Sequence, residues 1–286
     1  MTFNRAVCRA MGWAAVSALC LALSSSLPRV DAATAESPAN VAARQLVTVM
    51  LNSEIAAAEH KDHYAYLSQE RSDRTGGHLW TEKVVETNAG KIRFLLEEDG
   101  KPLDPDREAQ ERGHLAAIVA DPNAFIRKSQ TVKDDEAHAR QLLKILPNAF
   151  LLSDAGDGGG FERIDFKPNP DYSPHSMEER VLHAMTGSML IDLRTLRLRR
   201  IEGRLPEDVN IGFGLVATIR AGSNFATTRD SLGQPDFKTT MLDTDINGRA
   251  IFFKSIARKE HAEHSAFVRV DNDLTVPQAV TIAEQP

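Results

Sequence analysis

The chain has 286 residues, 34 basic and 40 acidic, with a formal net charge of −6. That balance argues against a nucleic-acid surface built on bulk positive charge. A 42% hydrophobic share excludes global disorder.

The first segment reads as an export leader. Arg5 and Arg9 make a short basic start, and Ala14 to Leu23 is an apolar core too short for a stable membrane span. Val30-Asp31-Ala32 supplies compact residues for cleavage, so residues 1–32 are expected to be a signal peptide and the mature chain periplasmic. A lipid anchor is not expected: bulky Leu19 precedes Cys20, and Cys8 lies ahead of the apolar core. Cleavage after Ala32 leaves 31 basic and 39 acidic residues, hence a net charge of −8, and no cysteine. That excludes cysteine nucleophiles and thiolate metal sites. No later apolar run reaches membrane-spanning length.

Residues 33–39 read as a flexible N-terminal segment, and residues 40–270 as one domain. Asn40 is placed to cap a helix running to about Glu59, with Val47, Met50, Leu51, Ile55 and Ala58 forming an apolar stripe. From His63 the period changes to two. Runs starting at His63, Leu79 and Lys91, separated by Thr75-Gly76-Gly77 and Asn88-Ala89-Gly90, predict an antiparallel meander.

Residues 104–147 read as a helical insert. Asp104-Pro105 opens one helix, Asp121-Pro122 is expected to end that piece, and a second helix is predicted from Asp134 to Leu146. Strand character returns at Ala149 to Leu152, and glycine-rich Asp154 to Gly160 is a loose turn. Ser176 with Glu179 predicts a capping box for a short helix from Met177 to Met185. Short strands then follow to Val270, with Asn247-Gly248 the strongest hairpin signal, and the tail 271–286 is expected to be loosely ordered. The pattern predicts an α+β fold: a curved antiparallel sheet with the N-terminal helix and the insert covering its concave face.

Chemical motifs are weak. Glu260-His261-Ala262-Glu263-His264 lacks the spacing of a helical zinc motif, and on a strand its histidines point to opposite faces. His60-Lys61-Asp62-His63 fails similarly. Asp154 to Gly160 lacks the acidic ladder of a calcium loop. Gly212-Phe213-Gly214 leads into a strand, not the helix a phosphate loop requires. No catalytic residue, metal or cofactor is therefore assigned. Arg194, Arg197, Arg199, Arg200 and Arg204 concentrate positive charge. Arg197, Arg199 and Arg204 are candidate contacts for an anionic partner, or a solvated sheet face. Tyr64, Tyr66, Trp80, Phe94, Phe213, Phe225 and Phe252 sit on predicted strands, either as core or as the lining of an apolar concavity.

Two stretches resemble the bacterial lipoprotein-carrier superfamily of the LolA, LolB and RseB type. One is Gly187-Ser188-Met189-Leu190-Ile191-Asp192 turning directly back into Leu196 to Leu205; the other is Tyr64 to Glu70 after the first helix. The resemblance implies an open half-barrel that binds a lipid, acylated protein or other hydrophobic ligand without catalysis. Two other readings stay open. One is an envelope sensor module with a membrane-protein partner; the other is a hydrolase with buried carboxylates or histidine in a cleft.

Overall fold

The computed structural model describes residues 37–59, 62–211, 217–233, 236–250 and 254–285. The expected leader, Phe213 and Phe252 lie outside them. In chain order the elements are α1 (Pro38–Ala58), β1 (His63–Ser72), β2 (Leu79–Glu86), β3 (Lys91–Glu98) and β4 (Lys101–Pro102). Then come α2 (Pro105–Ala120), α3 (Pro122–Leu143), α4 (Leu146–Ala149), β5 (Phe150–Gly158), β6 (Phe161–Pro168) and α5 (Met177–His183). The rest is β7 (Thr186–Asp192), β8 (Arg197–Arg204), β9 (Val209–Ile211), β10 (Ala217–Ile219), β11 (Asn224–Gly233), β12 (Asp236–Ala250), β13 (Lys254–Val270) and α6 (Val276–Glu284). Among the described residues no helix is long and apolar enough to cross a membrane.

The fold is α+β, and among the described residues the strands form a 13-stranded antiparallel sheet that stays open. Its path is β4-β3-β2-β1-β13-β12-β11-β8-β7-β6-β5, with β10 and β9 branching from β12. The helical insert therefore joins the two edges of the sheet, β4 and β5. The 22 residues of α3 supply reach for that crossing, roughly 33 Å at helical rise.

Helix starts follow local chemistry. Ser37 rather than Asn40 caps α1, its Oγ accepting from Asn40 N at 3.2 Å with Pro38 in the first turn. Asp121-Pro122 does not close the insert; it opens α3, as Asp104-Pro105 opens α2. The Asp121 carboxylate accepts from Ala124 N at 3.0 Å and the Asp104 carboxylate from Arg107 N at 2.8 Å. Ser176 caps α5, its Oγ accepting from Glu179 N at 3.1 Å, but the reciprocal half of the expected box is not made: the Glu179 carboxylate accepts from His175 N and Tyr172 Oη instead. Between β7 and β8 the chain turns directly back, with Asp192 Oδ1 accepting from Arg194 N and Thr195 N.

Further expectations fail. Residues 271–286 are not a loose tail. Thr275 and Gln278 form a reciprocal capping box, and α6 buries Val276, Ala279, Val280 and Ala283 against β2 and β3. Asn247-Gly248 is not a turn either. Both residues lie inside β12, opposite Ala257 and Ile256. Glycine is needed there for close approach: a Cβ on Gly248 would sit 2.7 Å from the Thr218 carbonyl oxygen of β10.

Directly paired residues share a face of a sheet, so the register assigns each cover. One row runs Ile164, Met189, Ile201, Thr227, Leu242, Ala262, Glu70 across β6 to β1. α1 packs on this face at its β5–β8 end, burying Ala43, Val47, Met50 and Leu51 against Phe150, Leu152, Ile164 and Met189. At the other end, Ala65, Val85 and Ile92 alternate to the opposite face and meet Leu115 of α2 and the stripe of α6. The N-terminal helix and the first part of the insert, α2, thus cover opposite faces rather than one shared concave face, while the end of the insert, Leu143 and Leu146, joins the α1 cluster. A wide open sheet has two faces, and each end is apolar on a different one.

Candidate functional site

An open cleft of ≈ 610 Å³ lies where the start of β1, the end of β11, the start of β12 and the end of β13 meet. Its lining includes Asp62, Tyr64, Leu232, Asp236, Phe267 and Arg269. The volume falls within the roughly 300–1,000 Å³ of small-molecule sites. Antiparallel pairing sets Tyr64 beside Arg269, and a bulge at β13, where Ala266 takes φ 54, keeps Phe267 and Arg269 on the face of Tyr64 and Tyr66.

Tyr64 is held from several sides. Its hydroxyl donates to Asp236 Oδ2 at 2.7 Å, and its backbone N donates to Glu86 Oε2 at 3.1 Å. Lys238 Nζ lies 4.8 Å from its ring centre and pairs with Glu86 at 2.6 Å. Burial, then the negative acceptor Asp236, push the Tyr64 hydroxyl up to about 12, so it stays a donor at neutral pH. Asp62 accepts from Asn272 Nδ2 at 2.9 Å and pairs with Arg269 at 2.7 Å. The Asn272 contact, more than the Arg269 charge, holds its carboxyl below the usual range against a burial effect. Phe267 stacks on Tyr66 at 5.0 Å and meets Tyr64 edge-on at 6.3 Å.

The expected aromatic lining does not converge. Tyr64 and Tyr66 pack together with Val84, Leu232 and Phe267, both almost fully buried. Phe94 is on the other face, in the α2–α6 core, with the Arg112 guanidinium 5.4 Å from its ring. Trp80 lies on β2 opposite Glu70, with Arg74 and Arg107 at 5.3 and 5.7 Å from its ring. Phe225 belongs to the other half, its ring filling the space a Gly203 Cβ would need.

The arginine candidates separate too. Arg197 is buried, with Nε and Nη2 donating to the two Glu54 oxygens of α1 at 2.9 and 3.1 Å. Arg229 donates to the same carboxylate at 2.6 Å. Burial alone would raise the Glu54 pKa; the hydrogen bonds and charges of Arg197 and Arg229 outweigh it and hold it below the usual value. Arg199 pairs with Asp230. Arg204 alone of the three is exposed, beside a second cleft of ≈ 260 Å³ that Thr186, Glu202, Asn224 and Phe225 also line.

Further along the Tyr66 face the sheet is charged rather than oily. Glu70 and Glu82, nearly buried, share Arg74 at 2.6 Å each, and Arg93 reaches Glu82 at 2.8 Å. Burial opposes ionisation of Glu70, but Arg74 and Ser72 outweigh it and lower its pKa. His264 faces Ser68 across the strands. Its Nδ1 lies 3.0 Å from the Thr239 carbonyl, which can only accept, so that nitrogen carries the proton. Burial lowers the His264 pKa, which keeps the ring neutral. His261 points the other way, toward Asp243 and Glu263. His78, Glu98 and Asp99 gather at two adjacent turns. The 2.7 Å contact of His78 Nδ1 with Asp99 already accounts for that cluster as an ion pair.

Sequence reading missed Asp62, Leu232, Asp236, Phe267 and Arg269 as a group. Tyr64 and Asp236 are 172 positions apart, and no local period links them. The alternation of Phe267 and Arg269 with Val268 was the available signal for their common face.

Comparison of the chain with family models, curated proteins and solved structures finds no match. The resemblance to lipoprotein carriers accordingly rests on the two sequence stretches alone.

Proposed function

We propose that the protein is a non-catalytic binding module, exported through its leader, that takes a small amphipathic ligand at the strand-end cleft. The observation that carries this reading is the pairing there of an apolar floor, Leu232 and Phe267, with the polar groups of Asp62, Asp236 and Arg269. A single acyl chain or similar tail would lie on the aromatic floor, gaining about 0.8 kcal/mol per buried methylene. This narrows the carrier expectation: the ligand is a single-chain amphipath with a recognised head, since Tyr66 and Phe94 are core residues and offer no wide greasy trough. An anion-binding role for the arginine strand is less favoured, because Glu54 already occupies Arg197 and Asp230 occupies Arg199.

Native mass spectrometry of delipidated protein with single-chain amphipaths tests the reading. Stoichiometric uptake is expected, weakened at least tenfold by Phe267→Ala in protein whose circular dichroism is unchanged. Absence of any uptake by the parent protein would overturn it.

A further inference from the structure

The head-group preference of this cleft follows from its charges. Two carboxylates, Asp62 and Asp236, face one guanidinium, Arg269, so the lining is left with net negative charge. Arg269 is already committed to Asp62 at 2.7 Å, and Asp236 accepts a neutral hydroxyl, that of Tyr64. Both carboxylates line one cleft, and two negative groups on one lining favour a bound cation over an anion. The aromatic surroundings suit the same species. One ammonium, that of Lys238, already sits 4.8 Å from the centre of the Tyr64 ring, and Phe267 adds a second ring at the cleft. Lys238 itself is occupied by Glu86 and the Asp62 carbonyl, at 2.6 and 2.9 Å.

We propose that the cleft selects amphipaths with a cationic ammonium head, bound between the Asp62 and Asp236 carboxylates with the tail over Phe267 and Leu232. This rests on the cleft being the binding site, and the test separates the two claims. Decyltrimethylammonium, decyl sulfate and decyl maltoside share one tail and differ in head charge. Each is titrated into the purified protein by calorimetry below its micelle concentration, at physiological salt. The cation is expected to bind at least tenfold more tightly than the other two. Asp236→Asn and Asp62→Asn, each checked for folding by circular dichroism, should remove most of that preference, bringing the affinity for decyltrimethylammonium down toward that for decyl maltoside. Asp243→Asn, which removes a carboxylate from the remote face of β12, should leave the preference intact.

Equal binding of the three heads would overturn the cation preference and leave the cleft reading standing. Failure of all three to bind would overturn both. An equal loss in the Asp243 variant would assign the preference to overall charge and overturn the local site. Suppression of ammonium binding by calcium through direct competition, with no preference left over the maltoside, would reassign the carboxylates to a metal ion and overturn the proposal.

Discussion

The two ends of the sheet solve one packing problem with different chemistry. At the β5–β8 end a long helix, α1, lays an apolar stripe over Phe150, Leu152, Ile164 and Met189. At the β1–β3 end the same face is closed by the Tyr64–Tyr66–Phe267 aromatics and a Glu70–Arg74–Glu82–Arg93 network, while α2 and α6 cover the reverse side. The first end is an apolar core with an ionic clasp, Glu54 with Arg197 and Arg229. The second keeps polar groups and a cleft where its strands terminate. The proposed ligand site lies at this second end, where the apolar cover is thinner and polar groups keep access to water.

The comparison breaks most sharply at the C-terminus. Deleting residues 275–286 is expected to lower stability by roughly 5 kcal/mol, since it re-exposes Val276, Val280 and the surface of Val85 and Ile92 beneath them. Chemical denaturation measures this, and an unchanged midpoint would return the segment to a loose tail. Phe150→Ala, at a fully buried site under α1, should destabilise by about 4 kcal/mol. A loss below about 1 kcal/mol would show that this end is not the tightly packed one.

Glu54→Ala tests the ionic clasp. It strands Arg197, whose side chain is 8% exposed, and Arg229 at 20%. The expected loss is about 3 kcal/mol by thermal unfolding, and Arg197→Met in the same background should recover part of it. Acid titration then compares both ends. The folded pKa values of Glu54 and Glu70 are lowered from 4.5. Their contribution is therefore present in full above the unfolded value and is lost as pH falls through the lower folded values. Unfolding midpoints should hold from neutral pH down to that range and then fall, less steeply in Glu54→Gln. A midpoint that already declines between pH 7 and pH 5 would point to other groups. The smallest effect is expected from Gly203→Ala, whose Cβ would meet Phe225 Cε1 at 2.6 Å. A loss of about 1–2 kcal/mol follows if the ring cannot yield.

Local signals carried much of the fold. The apolar spacing of α1, the Asp104-Pro105 start, the Ser176 cap and the three-strand meander all depend on neighbours within a few residues. The same kind of signal was present for α6, in Thr275 and Gln278 with valine and alanine at helical spacing, but its small residues make a faint stripe. Asp121-Pro122 was misread because one Asp-Pro pair can close one helix or open the next. The Asn247-Gly248 pair was misread because glycine serves a turn and a crowded strand equally well, and only the approach of Thr218 separates the two.

By itself, then, the amino-acid order determined an α+β chain with a broad antiparallel sheet, an initial helix and a helical insert, since those features come from short-range periodicity and caps. The tertiary structure decided which face each helix covers, which arginines are spent on Glu54 and Asp230, and that Asp62, Tyr64, Asp236, Phe267 and Arg269 meet at one cleft. Those outcomes depend on strand register between segments as distant in the chain as β1 and β13, and register is set by the packing of the whole sheet, not by any local run of residues.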